Sequence, residues 1–289
     1  MKNSKYIRNS IIWNQLISIC EEQANVLLKV AFGALVREAG DISAGIFNNK
    51  GKMLAQAVTG TPGHVNTMAE AVPKFLKIIA PENLRKGDAL ITNDPWIGAG
   101  HIFDFVVVSP IFFKNKIIGY FASTCHVVDV GGIGWSAEGK SFFEEGILIP
   151  VSFLRKKKSI NESLLKIITA NSRVPNEARG DVLSLMSCND AGINRLIDLL
   201  KENSLTNLSE TSKFIFDQSR ISMKKIISEL KKGIFKNKTQ LDGYDTPINL
   251  EAELEITDKN ILINLEKSSK ATSRGINCPI NYSVAYASY

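Results

Sequence analysis

Phe105-Val-Val-Val108 and the run from Ile117-Ile118 to Val127-Val128 are dense in branched and aromatic residues, with Lys114-Asn115-Lys116 offering a turn between them. Side chains of this kind suit a pleated, half-buried surface, so an antiparallel hairpin is the economical reading of the stretch. A three-residue loop centred on Asn115 pairs residues whose numbers sum to 230 and sets Asp104 opposite His126; a two-residue loop shifts the pairing by one position. Opposed Cβ atoms lie about 4.5–5.5 Å apart, so either register brings the two side chains close. His101 stands three residues before Asp104 and reaches the same point from outside the strand end, across one helical turn or a short loop.

Two neutral imidazoles and one carboxylate, with water in the remaining positions, suit Mn²⁺ or Fe²⁺ and, less exclusively, Zn²⁺. The chain has only three histidines, and two of them are here. A His and an Asp near a strand end also occur as a plain surface pair. The glycines favour a site: Gly98, Gly100, Gly131 and Gly132 gather at the same strand ends, where backbone turns sharply or approaches a ligand. Asn93-Asp94-Pro95 is a turn signal leaving a strand over Asp88-Ala-Leu-Ile-Thr92. Asp129 and Asp94 are the candidates for holding the ligands in place from outside, Asp129 through the free N–H of a histidine.

Gly134-Trp-Ser-Ala-Glu-Gly139-Lys140-Ser141 spells the G-x-x-x-x-G-K-[ST] pattern of a phosphate loop. The context fits poorly, because a phosphate cradle has to open a helix, and Gly146 and Pro150 follow within a few residues. The net charge of +6 comes from dispersed lysines, whose short runs lack interleaved aromatics and read as solvated faces; no nucleic-acid partner is expected. No apolar run approaches the roughly 18 residues that span a bilayer, and the basic N-terminus lacks a small-residue cleavage site. Four cysteines without paired spacing suit reduced thiols, so a cytoplasmic protein without membrane partners is expected; Cys125 reads as core.

Periodicity predicts a mixed α+β fold without regular β-α alternation. Ser10 to Val36 reads as a long N-terminal helix with Ser10 as its N-cap, and Ile42 to Gln56 as a hairpin around Asn48-Asn49-Lys50-Gly51. Val65 to Ile79 is helical in pattern, with Pro73 as a site of kinking or splitting. After the metal hairpin come a short element at Ser163–Ile167, helices over Asp181–Glu202 and Leu208–Lys232, and alternating strands over Ile248–Ile263. Two domains are expected, a metal-binding core over 1–235 and a truncated β-rich part over 236–289.

The order Gly87-Asp88, Asn93-Asp94-Pro, Gly98, Gly100, His101-x-x-Asp104, Pro110, His126-x-x-Asp129-x-Gly-Gly and Glu144-Glu145-Gly146 with Pro150 resembles the hydantoinase B/oxoprolinase family. Arg37-Glu38, Asp41-Ile-Ser43, Gly51-Lys52, Gln56 and Gly63-His64-Val upstream are similar to it too, as are Asn171-Ser-Arg173, Gly180-Asp181 and Gly275-Ile-Asn277-Cys-Pro279 downstream. The resemblance implies Mn²⁺, with Zn²⁺ or Fe²⁺ as alternatives, held by His101, Asp104 and His126. It also implies a hetero-oligomer in which a separate hydantoinase A-type chain, not this one, binds and cleaves ATP to activate a cyclic amide or a ketone. His64 is then the candidate for proton transfer and Asp41 for a supporting carboxylate, although a His after Gly63 in a Pro-Gly turn is as readily structural and Asp41 can simply cap the turn before Ile42.

Against that family the chain is short, and Asn264-Leu-Glu-Lys-Ser-Ser stands where the family has Asp-Phe-(Ser/Thr)-Gly. A piece of a split protein, with another chain supplying the missing C-terminal half, a truncated gene product and a specialised short form all stay open. So do three functions: hydrolysis of a hydantoin- or 5-oxoproline-type ring, an acetone- or acetophenone-type carboxylase alpha subunit, and a non-catalytic assembly subunit.

Overall fold

Ile12, Leu16, Ile19, Cys20, Ala24 and Leu27 recur at the three- and four-residue spacing of one helical stripe, and all are buried. They lie on α1 (Lys2–Val30), the first element of the computed structural model, which describes residues 2–289, with side chains from residue 4 onward. Ser10 therefore sits inside α1 rather than capping it, because the helical pattern extends upstream through Lys5, Tyr6 and Ile7. After α2 (Ala34–Arg37) come β1 (Ile42–Asn48), β2 (Met53–Gln56), α3 (Pro62–Ile78), β3 (Ala89–Thr92), β4 (Asp104–Phe113) and β5 (Lys116–His126). Then follow α4 (Phe142–Glu145), β6 (Ser152–Lys156), β7 (Ser159–Ile160), α5 (Glu162–Ala170) and α6 (Pro175–Glu202). Pro73 lies inside α3 without ending it.

The first seven strands form one antiparallel sheet in the order β2-β1-β5-β4-β3-β6-β7. Its central strands are buried along almost their whole length, as expected of a sheet covered on both faces. α1 and α6 pack on one face. There Gln23 donates to the Ala122 carbonyl (3.0 Å) and to Asn189 Oδ1 (2.7 Å), and Asn189 donates to the Val107 carbonyl (3.1 Å), which satisfies polar groups at the centre of the layer. α3 covers the other face through Met68, Ala71, Val72 and Phe75, which meet Phe47, Tyr120, Val106 and Val108.

The hairpin of β4 and β5 turns on two residues, Lys114 (φ 48°) and Asn115 (φ 62°), both in the left-handed region that a tight, right-twisting hairpin turn requires. A two-residue turn by itself would slip the register. Ile118 is the extra residue of a bulge between the Ile111–Gly119 and Phe112–Ile117 pairs, and it restores the sum of 230, so Asp104 stands opposite His126.

The contacts divide the chain into two compact units, residues 1–212 with 274–289, and residues 213–273. A boundary at 235/236 would cut β8 (Gly233–Leu241) in two. The second unit holds most of α7 (Ser209–Glu229) and a three-stranded antiparallel sheet of β8, β9 (Ile248–Ile256) and β10 (Ile261–Asn264) in the order β10-β9-β8. The last residues are helical rather than β-rich: α8 (Ile280–Ser288) packs on α3 in the first unit, with Asn281 and Ala285 buried at i, i+4 spacing. Among the described residues no helix is long and apolar enough to cross a membrane.

Candidate metal centre

Alternation puts Asp41, His126 and Asp104 in a row across three neighbouring strands. Ser43 pairs with Thr124 and Phe47 with Tyr120, so Asp41, one step before β1, falls beside His126, whose backbone N–H donates to the Asp41 carbonyl (3.3 Å). Asp104 lies beyond His126 on β4, and all three face the α3 side, where side chains two apart share a face. His64, in the first turn of α3 rather than in a preceding turn, comes down onto the row, and His101 enters from the loop before β4.

All three histidines of the chain therefore meet Asp104. His64 Nε2 lies 2.9 Å and His101 Nε2 3.2 Å from Asp104 Oδ2, and His126 Nδ1 lies 3.4 Å from Oδ1. Asp41 is 3.5 Å from His64 Nδ1 and 3.8 Å from His126 Nδ1. Two overlapping triads result, His101–Asp104–His126 and Asp41–His64–Asp104, each with its donor atoms within 4.8 Å of one another. Donors bound about 2.0–2.2 Å from one ion lie roughly 3–4 Å apart, which matches these spacings.

Both oxygens of the fully buried Asp104, and Nδ1 of His64, His101 and His126, lack a hydrogen bond of proper geometry despite the close approaches. Leaving a buried carboxylate and three ring nitrogens unbonded costs several kcal/mol in total by the usual penalty of about 1–3 kcal/mol per group. A divalent cation taken up between Asp104 and the imidazole nitrogens that face it would satisfy the carboxylate, so His101, Asp104 and His126 fit such an ion.

The electrostatics agree. Burial works to raise the Asp104 pKa, but the neighbouring His64 and His101 outweigh it and hold the carboxyl well below the usual range. Burial lowers the His101 pKa against the opposing charge of Asp104. At His64 burial opposes protonation, yet the charge of Asp104 prevails and raises its pKa. A carboxyl held anionic and an imidazole whose pKa is lowered both move toward the deprotonated forms that ligate a metal.

Two predicted supports are elsewhere. Asp129 touches no histidine: it accepts from Arg173 Nε (3.1 Å) and Nη2, from the backbone of Arg173 and of Gly131 (3.3 Å), and from Ser172 Oγ (3.4 Å). It thereby pins the loop after β5 to the start of α6. Asp94 accepts from the Trp96 N–H (2.9 Å) and shapes the 93–98 turn. Both point into turns because a carboxylate two residues before a free N–H closes a local ring more readily than it reaches across the site. Hydrogen bonds from Arg173 are the main reason the Asp129 pKa falls from 3.8 to about 2. A lowered pKa contributes stability above the unfolded value and loses it as pH drops through the folded one. Relative to Asp129→Asn, the wild type should thus be more stable at pH 7 and lose that margin on acidification toward pH ~2, measured by denaturant titration.

Sequence reasoning missed the walls. Phe103 stacks on His126 (centroids 5.4 Å apart, planes at 7°), and Trp135 lies 5.1 Å from His126 and 5.6 Å from His101. Beyond His101 opens a cavity of about 310 Å³ whose lining includes Trp96, Trp135, Phe142, Glu145, Lys140 and Arg274. Tyr282 of α8 presses on Gly63 and Gly100, where an added Cβ would meet its ring at 2.7–2.8 Å; these glycines exist to admit it. Pro279 ahead of Asn281 and Ala285 at i, i+4 was the one available signal for α8.

The phosphate-loop pattern leads into α4, a single four-residue turn with Glu144 and Glu145 in it, and the Lys140 N–H donates to Glu144 (3.0 Å). Lys140→Ala should leave nucleotide affinity of the purified chain unchanged in a fluorescent-ATP titration.

Residues 5–289 match the model of the hydantoinase B/oxoprolinase family. The chain belongs to that family. Among its relatives are an uncharacterised protein of Methanocaldococcus jannaschii, 30% identical over 93% of this chain and 48% of its own length, and the B-type component of a putative D-/L-hydantoinase from a Pseudomonas species, 22% identical over 100% and 51%. The 5-oxoprolinase PfmaA of Pestalotiopsis fici is 26% identical over 94% of this chain and 22% of its own. This member of the family thus spans about half the length of the first two. Its fold is that of an ATP-dependent caprolactamase from Pseudomonas jessenii (TM-score 0.86, 20% identity, 96% of this chain, 49% of the other) and of an acetone carboxylase (0.87, 17%, 96%, 39%).

Proposed function

We propose that this chain is the metal-holding part of an ATP-dependent hydrolase of cyclic amides, of the hydantoin or 5-oxoproline kind, acting beside a hydantoinase A-type chain that binds the ATP. One observation carries it: three histidines converge on the fully buried Asp104, whose oxygens lack a well-formed hydrogen bond, at the edge of an aromatic-lined cavity. His101, Asp104 and His126 hold the ion, Mn²⁺ first, with Zn²⁺ or Fe²⁺ as the alternatives. Once bound, it supplies a Lewis acid for a carbonyl oxygen.

The chain's own groups do the rest. His101 is the most exposed of the histidines, at 27% of its side chain, and divides the cluster from the cavity. Phe103 stacks on the His126 ring and Trp135 lies against it, which holds the plane of that ring. His64 spans Asp41 and Asp104, so it can hold a proton at Nε2 against Asp104 and exchange one at Nδ1 with Asp41. Asp41, 30% exposed, is the way out for that proton.

The second reading, carboxylation of a ketone, draws on the likeness of Asp129-Val-Gly-Gly and Glu144-Glu145-Gly146 to the carboxylase branch. The test is to purify the chain with an ATP-cleaving partner and assay ring opening of hydantoin and 5-oxoproline against incorporation of labelled bicarbonate into acetone. His101→Ala should lose metal and turnover together. Turnover that ignores the substitution in a metal-bearing chain would leave only the assembly-subunit reading.

A further inference from the structure

The cluster is assembled from carriers of two kinds. Asp41, Asp104 and His126 stand on or beside paired strands of the large sheet, where backbone hydrogen bonds fix them. His64 sits instead in the first turn of α3, and His101 on the loop between β3 and β4. The Asp104 N–H donates to the His101 carbonyl (3.3 Å), which leaves the Pro95–Gly100 side of that loop to be held from elsewhere.

α8 touches both carriers. The Tyr282 ring lies on Gly100, where an added Cβ would meet it at 2.7 Å, and on Gly63, at 2.8 Å; each of these glycines immediately precedes a histidine. Gly100 has a φ of +104°, a bend with no side chain of its own to pack, and the Tyr282 ring fills the space over it. The buried Asn281 amide donates to the carbonyls of Pro95 (2.9 Å) and Gly98 (2.7 Å), in the loop that leads to His101. On the α3 side Asn66, two residues after His64, donates to the Ala285 carbonyl (2.8 Å).

We propose that Asn281 and Tyr282 are positioning residues: α8 clamps the loop and the first turn of α3 together, and so sets the distances at which His101 and His64 face Asp104. Ligands held in place by a packed supporting layer bind with less ordering cost than ligands on loose carriers. The proposal rests on the metal reading above only for its effect on affinity.

The test uses the full chain, with Mn²⁺ alone as probe. Tyr282→Ala and Asn281→Ala should each weaken Mn²⁺ binding by about 10–100-fold in a calorimetric titration, the range for loss of a group that orients a ligand. Tyr282→Phe keeps the ring and should bind as the wild type does, as should Val284→Ala, an exposed change on the same helix. Hydrogen exchange of the metal-free chains gives a readout independent of metal. The N–H groups of Val65, Ile97, Gly98 and Asp104 are hydrogen-bonded, and Tyr282→Ala should speed their exchange while the centres of β4 and β5 stay as slow as in the wild type. Faster exchange throughout the large sheet would reduce the role to general stability and overturn the proposal. Unchanged exchange at those four groups, or undiminished Mn²⁺ affinity in Tyr282→Ala when the wild type binds the ion, does the same. If the wild type takes up no Mn²⁺, the metal reading fails by itself and the exchange pattern still decides this one.

Discussion

Replacing Asp104 by Asn is expected to abolish metal binding while leaving the fold in place. The amide has the shape of the carboxylate, so packing at this fully buried position survives. What disappears is the only anion that all three imidazoles face. Loss of an outer partner of a metal ligand costs about 10–100-fold in affinity, and loss of the shared carboxylate itself should cost more. Metal that binds only the folded chain stabilises it by about 2.7 kcal/mol at a hundred times its Kd, so Mn²⁺ should raise the wild-type Tm by roughly 5–10 °C. Asp104→Asn should show no such rise. Without metal it should be less stable than the wild type at neutral pH, because the histidines that hold the Asp104 carboxyl below its usual range lose their shared anion. Thermal scans with and without Mn²⁺, together with elemental analysis, check both signs; a metal-dependent rise that persists in Asp104→Asn would remove the cluster from consideration.

Gly119→Ala should be the most damaging conservative change in the large sheet. An added Cβ at Gly119 lies 2.3 Å from the Phe47 carbonyl oxygen, a backbone atom of the paired strand that cannot rotate away. β1 and β5 must then part where Phe47 pairs with Tyr120, at a cost of about 2–4 kcal/mol and a fall in Tm of roughly 5–15 °C. Gly40→Ala is the contrast. Its Cβ would meet nothing within 4 Å, so only the φ of +67° is penalised, by about 1 kcal/mol. In a chemical denaturation series Gly119→Ala reports the packing cost and Gly40→Ala the backbone cost, because of the two only Gly40 has a positive φ.

The hairpin shows how far local pattern reaches. Branched residues on both arms and a short polar turn were enough to pair Asp104 with His126, although the turn is one residue tighter than the register needs and Ile118 bulges to compensate. His101 follows from being three residues away. His64 and Asp41 were legible as chemistry but not as neighbours, since nothing local says that the first turn of α3 lies over the ends of β1, β4 and β5. Asp129 went the other way, since proximity in sequence to His126 proved worth less than the hydrogen bonds Arg173 offers it.

The residue pattern alone determined the strand pair, the family and the three candidate ligands nearest to one another along the chain, because side-chain alternation and short loops act over a few residues. Only the tertiary structure decided that all the histidines share one carboxylate, that α8 returns to press Tyr282 onto Gly63 and Gly100, and that Asp129 serves a loop. Those depend on which buried faces cover which, a balance of packing and desolvation summed over the whole fold that no short window of sequence contains.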